Sequence, residues 1–257
     1  MAQAAIHRNG GRQGLPFPCE SELSGTPDRA PLAIIVAGSS LGNLAAFCLR
    51  HSACRSEVVP SLDQARRRLA ETRPDVLLVD VTLSDGAAIS LLQAREDEPP
   101  LARIALVRPH DRWSSHEAFG RGADQVVTVP FTPDELAVRA FALLRRFAIV
   151  TKISHSQLVH ALELSIDEKV GIDGRSIRLT PAQNSLLYVL AANAGTELSA
   201  HDIRQLAWGL DAQTSDDEVV RRVGDLLRLI PAGGTRVERR DHSFRFVPQS
   251  ERYERPS

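Results

Sequence analysis

Seven arginines lie within a short stretch near the end of the chain, where their guanidinium groups could bind phosphate. Between residues 221 and 246 only three acidic residues accompany them, although the whole chain has a formal net charge of −1. Guanidinium groups bind phosphate oxygens and the edges of guanine bases, so this local excess indicates binding to nucleic acid. The arginines are Arg221, Arg222, Arg228, Arg236, Arg239, Arg240 and Arg245.

The first three of these arginines fall on a predicted helix over residues 215–230. Apolar residues at helical spacing predict a buried stripe, which consists of Val219, Val223, Leu226 and Ile230. The faces left for the major groove of double-stranded DNA carry Arg221, Arg222, Asp225 and Arg228. A predicted hairpin carries Arg239, Arg240 and Arg245, which we expect to contact phosphate or the minor groove. A solvated helix face without a partner is the alternative interpretation.

The elements that position these arginines form a pattern typical of a winged helix-turn-helix, an α+β unit over residues 161–248. Three short strands precede three helices with capping residues at their starts, and a hairpin closes the unit. The strands are predicted at 161–164, 169–172 and 176–179, the helices at 180–192, 199–208 and 215–230, and the hairpin strands at 236–239 and 243–247.

The first half of the chain has a different pattern, in which short apolar runs alternate with helical segments over residues 32–147. Five strands each followed by a helix predict an α/β fold with a doubly wound, five-stranded parallel sheet. The strands are predicted at 32–37, 57–59, 75–81, 104–107 and 125–129, and the later helices at 87–96, 113–119 and 132–147.

The remaining segments and the composition set the limits of the interpretation. Residues 1–31 are rich in Gly and Pro and are expected to be a disordered leader, 148–160 a linker and 249–257 a tail. No apolar run is long enough for a membrane helix, and no signal-peptide core follows Met1. Three cysteines without paired spacing favour a reducing, cytoplasmic compartment. The eight histidines show no metal-ligand spacing, so neither a metal nor a cofactor is expected.

Several short motifs, in this order, resemble those of OmpR/PhoB-type response regulators, which join a receiver domain to a winged-helix effector. The resemblance covers residues 32–248 and rests on Pro74–Asp80, Asp85-Gly86, Gly122–Asp124, Pro130–Leu136, Leu179–Pro181, Trp208-Gly209 and Phe244–Val247. It implies a flavodoxin-like receiver and a transcription regulator that is not an enzyme. It also implies a receiver that forms a homodimer or docks a protein through residues 113–119 and 132–147, and contact of residues 209–214 with RNA polymerase.

The receiver departs from the family pattern around Asp80, which stands at the phosphoacceptor position. The resemblance implies an acidic pair where this chain has Ala37 and Gly38, a hydroxyl residue where it has Arg108, and a lysine where it has Val129. Without that metal site and lysine, nothing neutralises the oxygens of a transferring phosphoryl group. Phosphorylation of Asp80 by the usual route is therefore not expected. Whether a sensor kinase acts on the chain is left open.

Arg108 offers an alternative source of positive charge. The family's strand order makes the third and fourth strands neighbours, so Asp80 and Arg108 are expected at the same edge of the sheet and could form a bidentate ion pair. The same cleft would be lined by Ala37, Gly38, Ser39 and Val129. Asp225 is a second departure, because the resemblance suggests an arginine there; an aspartate could instead accept a hydrogen bond from a cytosine amino group.

Three competing functions remain. The first is an ordinary phosphorylation-activated response regulator. The second is a nucleotide-binding protein that uses the Gly38–Gly42 turn to cradle phosphate, although this turn is more ordinarily explained as a helix entry. The third is an adaptor whose helix-turn-helix binds a protein in place of DNA.

Overall fold

The structure of the protein is a computed structural model. It describes residues 30–94, 99–109, 115–147, 149, 153–154, 156–159, 162–172, 175–208, 214–230 and 236–247. The predicted leader (apart from residues 30 and 31), the tail, the Asp173-Gly174 turn and most of the 209–214 loop lie outside these residues.

The first half contains the predicted five-stranded parallel sheet, in the order β2-β1-β3-β4-β5. Its strands are β1 (Leu32–Val36), β2 (Arg55–Val59), β3 (Val76–Asp80), β4 (Ala102–Val107) and β5 (Gln125–Thr128). The helices are α1 (Ser39–Leu49), α2 (Leu62–Glu71), α3 (Ser115–Gly120) and α4 (Pro133–Arg146). Strands β3 and β4 are buried on both faces because helices cover the sheet on both sides, which explains their continuous apolar sequences. The predicted fold class is confirmed.

Two short segments of this half are 3₁₀ helices. One, Arg50–Ser52, follows α1 directly, and the other, Leu83–Leu92, lies where the helix at 87–96 is predicted. Its first residues include Ser84, Asp85 and Gly86, residue types that compete with or weaken α-helical hydrogen bonding. A helix is found in this region as predicted, but it is a 3₁₀ helix and begins four residues earlier.

The described residues of the second half form two antiparallel sheets and three helices. One sheet contains β6 (Ser156–Val159), β7 (Leu162–Ser165), β8 (Lys169–Ile172) and β9 (Arg175–Arg178), in that order. The other has the order β10-β12-β11 and contains β10 (Glu197–Ser199), β11 (Arg236–Arg240) and β12 (Ser243–Val247). The helices are α5 (Pro181–Ala192), α6 (Ala200–Ala207) and α7 (Asp216–Leu229).

All three helix starts in this half have the predicted caps. The side chains of Thr180, Ser199 and Ser215 each accept a hydrogen bond from the backbone N–H three residues later. Two strands were not predicted: β10, which has three residues, and β6, which lies within residues 148–160, where the sequence predicts only linker. Both are short edge strands with too few residues to show a period of two.

The apolar cores of the two halves are continuous. One cluster of buried side chains runs from one face of the parallel sheet through α1 and α4 into α5, α6 and α7. The opposite face of the sheet has its own cluster, formed with α2 and the Leu83–Leu92 helix. None of the helices in the described ranges has both the length and the apolar character needed to cross a membrane.

Cys48 and Cys54 are buried in the first cluster, and burial raises the pKa of both thiols, that of Cys54 to about 12. Because the thiolate is the reactive form, we expect neither to react with DTNB at pH 8 in a folded Cys19→Ser variant, whereas the denatured variant should release two equivalents. Release of thionitrobenzoate from the folded variant at the rate of the denatured one would contradict this prediction.

Candidate functional site

The carboxyl ends of four parallel strands bring the residues of the predicted cleft to one edge of the sheet. Val36 pairs with Val79, so Ala37 follows beside Asp80. Asp80 pairs with Leu106, and Val107 with Thr128, so Arg108 and Val129 follow at the same edge. Ala37 and Val129 are buried, and Gly38 and Ser39 are exposed at the start of α1. The edge has the position of a ligand cleft in this class of fold.

Asp80 and Arg108 form the bidentate ion pair that the strand order predicts. Nη1 of Arg108 donates to Oδ1 of Asp80 over 2.7 Å, and Nη2 donates to Oδ2 over 2.9 Å. The backbone N–H and hydroxyl of Thr82 also donate to Oδ1, and Arg108 Nη1 donates to the Thr82 hydroxyl oxygen. The side chain of Asp80 is 6% exposed and that of Arg108 27%. Both carboxylate oxygens are therefore bound to a sheltered guanidinium.

The Mg²⁺ site implied by the family pattern does not fit these residues. No cluster of three or more His, Cys, Asp or Glu suited to a metal occurs within the described ranges. Mg²⁺ requires an octahedral set of oxygen ligands, usually including carboxylates. Among the described residues of this cleft, the carboxylate of Asp80 is bound to a cation already, and Ala37 and Gly38 add no side-chain oxygen.

The Gly38–Gly42 turn has a packing role at Gly42. A Cβ on Gly42 would lie 2.3 Å from Cγ1 of Val58, so the absence of a side chain lets α1 approach β2. Gly38 has open space around its Cα and starts the helix, with its carbonyl accepting from the Gly42 N–H over 2.8 Å. The close approach of α1 to β2 therefore accounts for the glycine at position 42 without a bound phosphate.

On α7, the predicted stripe is buried and the arginines are on the outside. Val219, Val223 and Leu226 have no exposed surface. The side chains of Arg221, Arg222 and Arg228 are 64%, 38% and 75% exposed. The structure therefore brings these three arginines to one solvent-facing side of the helix.

Each of these arginines is also paired with an acidic residue of the same helix. Glu218 accepts from Arg221 over 2.6 Å and from Arg222 over 2.8 Å, and Asp225 accepts from Arg228 over 2.7 Å. Arg221 and Arg222 hold the pKa of the Glu218 carboxyl below its usual range, so this pairing persists at neutral pH and is lost only in acid. With Asp216 and Asp217 in its first turn, α7 carries four acidic residues against three arginines.

The excess of positive charge counted over residues 221–246 therefore does not describe α7, because the count leaves out the acidic first turn of this helix. The net positive charge of this region lies on the hairpin. Arg239 donates to the backbone carbonyl of Asp241 over 3.0 Å, Arg240 is exposed, and Arg245 donates to the carbonyl of Gly195 over 3.0 Å. The side chain of Arg236 lies outside the described part of the structure.

A groove beside α7 was not predicted from the sequence. Its volume is about 280 Å³, and it is lined by Thr180, Ala182, Gln183, Leu186, Trp208, Glu218, Arg221, Arg222 and Asp225. The guanidinium of Arg222 lies 5.0 Å from the centre of the Trp208 ring, a cation–π contact that fixes this arginine over the indole. Trp208 therefore positions a candidate DNA-contacting residue.

The similarity to known proteins extends over most of the chain. The chain is 33% identical over 184 residues to the transcriptional regulatory protein PrrA of Mycobacterium leprae, covering 68% of this chain and 78% of PrrA. It is 26% identical over 205 residues to the phosphate regulon transcriptional regulatory protein PhoB of Rhizobium meliloti, covering 77% and 89%. The structure of DrrB, an OmpR/PhoB homolog of Thermotoga maritima, matches 85% of this chain and 99% of its own, with 20% identity and a TM-score of 0.39. No protein-family model matches the chain.

A five-stranded parallel sheet, a strand-end cleft and a helical unit closed by a hairpin, together with these relatives, define a transcriptional response regulator. The chain belongs to the OmpR/PhoB family of response regulators.

Proposed function

We propose that the chain is a DNA-binding transcription regulator whose receiver works without phosphorylation of Asp80. The bidentate contact of Arg108 with both Asp80 oxygens carries this proposal. A phosphoacceptor needs a free carboxylate oxygen and nearby cations that neutralise the negative oxygens of the transferring phosphoryl group. Here the guanidinium of Arg108 neutralises the carboxylate of Asp80 itself. The receiver (residues 32–147) is therefore a pseudo-receiver with a permanent internal ion pair.

DNA contact is proposed for α7 and the hairpin of the effector. Arg221, Arg222 and Arg228 would enter the major groove, and Asp225 would accept from a cytosine amino group. Arg239, Arg240 and Arg245 would contact phosphate or the minor groove. Surface ion pairs contribute little stability, so the arginines of α7 can exchange their acidic partners for DNA. The acidic first turn of α7 still repels phosphate, so the affinity of one effector for DNA should be weak.

A homodimer compensates for weak binding by one effector. Phe119 on α3 and Val138 on α4 are both 49% exposed, and large exposed apolar side chains favour an interface. We propose that a second copy of the chain covers these helices. Contact of residues 209–214 with RNA polymerase is part of the same proposal. The effector is proposed to extend from β6, at residue 156, to residue 248.

The test is treatment of the full chain with acetyl phosphate and Mg²⁺. We expect no mass increase from a phosphoryl group, and no change in the dimerisation constant or in affinity for DNA fragments selected from a genomic pool by the untreated protein. The Asp80→Asn variant is the control and should respond identically. A phosphoryl adduct that is absent from Asp80→Asn and tightens DNA binding would establish the ordinary phosphorylation switch instead.

A protein adaptor is the second candidate, favoured by the ion pairs that occupy every arginine of α7. The two functions separate in the same selection experiment. Enrichment of particular DNA sequences supports the regulator, whereas binding at low salt with no sequence preference supports the adaptor.

A further inference from the structure

The receiver and effector meet along α1 and α5 through aromatic and polar contacts. The rings of Phe47 and Tyr188 pack edge to face, with their centres 5.5 Å apart. The side-chain amide of Asn43 donates to Oδ1 of Asn193 over 3.2 Å, and the Asn193 amide donates to the carbonyl of Ser40 over 3.4 Å. Asn193 and Tyr188 are buried, so this contact excludes water. The contact therefore has a dry centre with specific polar partners.

His51 lies at the centre of this contact, in the 3₁₀ turn after α1, and is fully buried. Its Nδ1 is 2.6 Å from the carbonyl oxygen of Ser154, which can only accept, so Nδ1 carries a proton. Its Nε2 is 2.9 Å from the Tyr188 hydroxyl and 3.1 Å from Nε2 of Gln157. The ring of His51, a receiver residue, thus contacts Ser154 between α4 and β6, Gln157 of β6 and Tyr188 of α5.

The orientation of Gln157 favours the neutral form of His51. Its amide nitrogen also donates to the carbonyl of Phe47 over 3.2 Å. Turning the amide over would place its oxygen against that carbonyl, so Gln157 presents an N–H to His51. In the neutral imidazole, Nε2 of His51 accepts from this N–H. A second ring proton would face the Gln157 N–H and would have only the Tyr188 oxygen as acceptor.

Other titratable groups surround this centre. Burial raises the pKa of the Tyr188 hydroxyl, and Cys48, Asp134 on α4 and Asp167 between β7 and β8 raise it further, whereas a hydrogen bond with Gln157 lowers it. Arg50, next to His51, lies over the Phe47 ring, and β6 carries no charged residue. The two carboxylates attract an imidazolium through space, whereas burial, Arg50 and the Gln157 N–H oppose it.

We propose that α1 of the receiver is the docking surface for α5 of the effector, and that this contact closes only on neutral His51, so that acidification opens it. The inference goes beyond the proposed function, because it concerns the coupling of the two units and not DNA binding or phosphorylation. It gives the receiver an input other than phosphate, with α1 as the responding element.

The direction of the pH dependence follows because the closed contact excludes a second proton on the His51 ring. The contribution of His51 to closure is fully present above its open-state pKa and is lost as the pH falls below it. With an open-state pKa of about 6.5, the closing equilibrium is expected to weaken about ten-fold between pH 7.5 and pH 5.5.

Hydrogen–deuterium exchange of the full chain, with labelling times scaled for pH, measures this opening. Peptides from α1 and α5 should exchange faster at pH 5.5 than at pH 7.5, while β3 and β4 stay protected. His51→Gln, which cannot be charged, should remove the difference between the two pH values. His201→Gln, which changes an exposed histidine of α6, should retain it.

The proposal is overturned if α1 and α5 show equal protection at both pH values, or if His51→Gln keeps the full pH response. If His51→Gln does not fold, NMR titration of the wild-type ring decides. A His51 resonance that titrates near its open-state pKa while α1 and α5 stay protected overturns the proposal, and a resonance that titrates together with their loss of protection supports it. DNA selection by the unmodified chain tests the proposed function separately.

Discussion

Replacing Arg108 with alanine is expected to lower the free energy of unfolding by about 3 kcal/mol, because removing one partner of a sheltered ion pair leaves the other charge uncompensated. Asp80 would keep only the two hydrogen bonds from Thr82, at a position where its side chain is 6% exposed. Urea denaturation measures the loss as a lower midpoint with an unchanged slope.

Three further variants separate this explanation from a general effect of removing an arginine. Arg68→Ala removes a guanidinium that binds Glu57 in the same bidentate way on the surface, and should cost much less. Arg108→Lys cannot form the bidentate contact and should fall between wild type and alanine. Asp80→Ala in the Arg108→Ala background should recover part of the loss. Equal losses for Arg68→Ala and Arg108→Ala would contradict the structural role assigned to the pair.

Replacing Asp225 with arginine is expected to tighten binding to a random-sequence DNA duplex about ten-fold at low salt, because it releases Arg228 and adds a cation. Each additional phosphate contact steepens the dependence of log affinity on log salt by about 0.9. Fluorescence anisotropy over a salt series measures both quantities, and the slope should increase by the equivalent of about two contacts.

Asp63→Arg is the matched control, because it makes the same charge change at an exposed position on α2, far along the chain from the effector. It should leave the salt slope unchanged. A slope that is the same for Asp225→Arg and wild type would mean that α7 does not face DNA, and would favour the adaptor function.

Much of the fold could be predicted because its signals are local. The buried strands β3 and β4 are continuous apolar runs, and Thr180, Ser199 and Ser215 mark helix starts through hydrogen bonds within one turn. The strands β6 and β10 depend on pairing with distant partners: β10 binds β12, some 45 residues later. Their three or four residues contain too little pattern to predict them.

The sites divide in the same way. The Asp80–Arg108 contact follows from strand order alone, since neighbouring parallel strands bring their ends together. The pairing of α7 arginines with Glu218 and Asp225 is also local, at spacings of three and four residues, and a charge count over the entire helix would have revealed it. The surroundings of His51 could not be predicted, because its partner Tyr188 is 137 residues away and the sequence shows only an isolated histidine.

Helix α1 is held on two sides, since Gly42 brings it against β2 while Phe47 packs on Tyr188 of α5. Cutting the chain between α4 and β6 would expose an apolar, aromatic surface on both fragments. Each fragment would then tend to aggregate or to bind the other when mixed. Fragments expressed separately would therefore expose an apolar surface that the intact chain buries. The intact chain is the form whose solution behaviour reflects the native molecule.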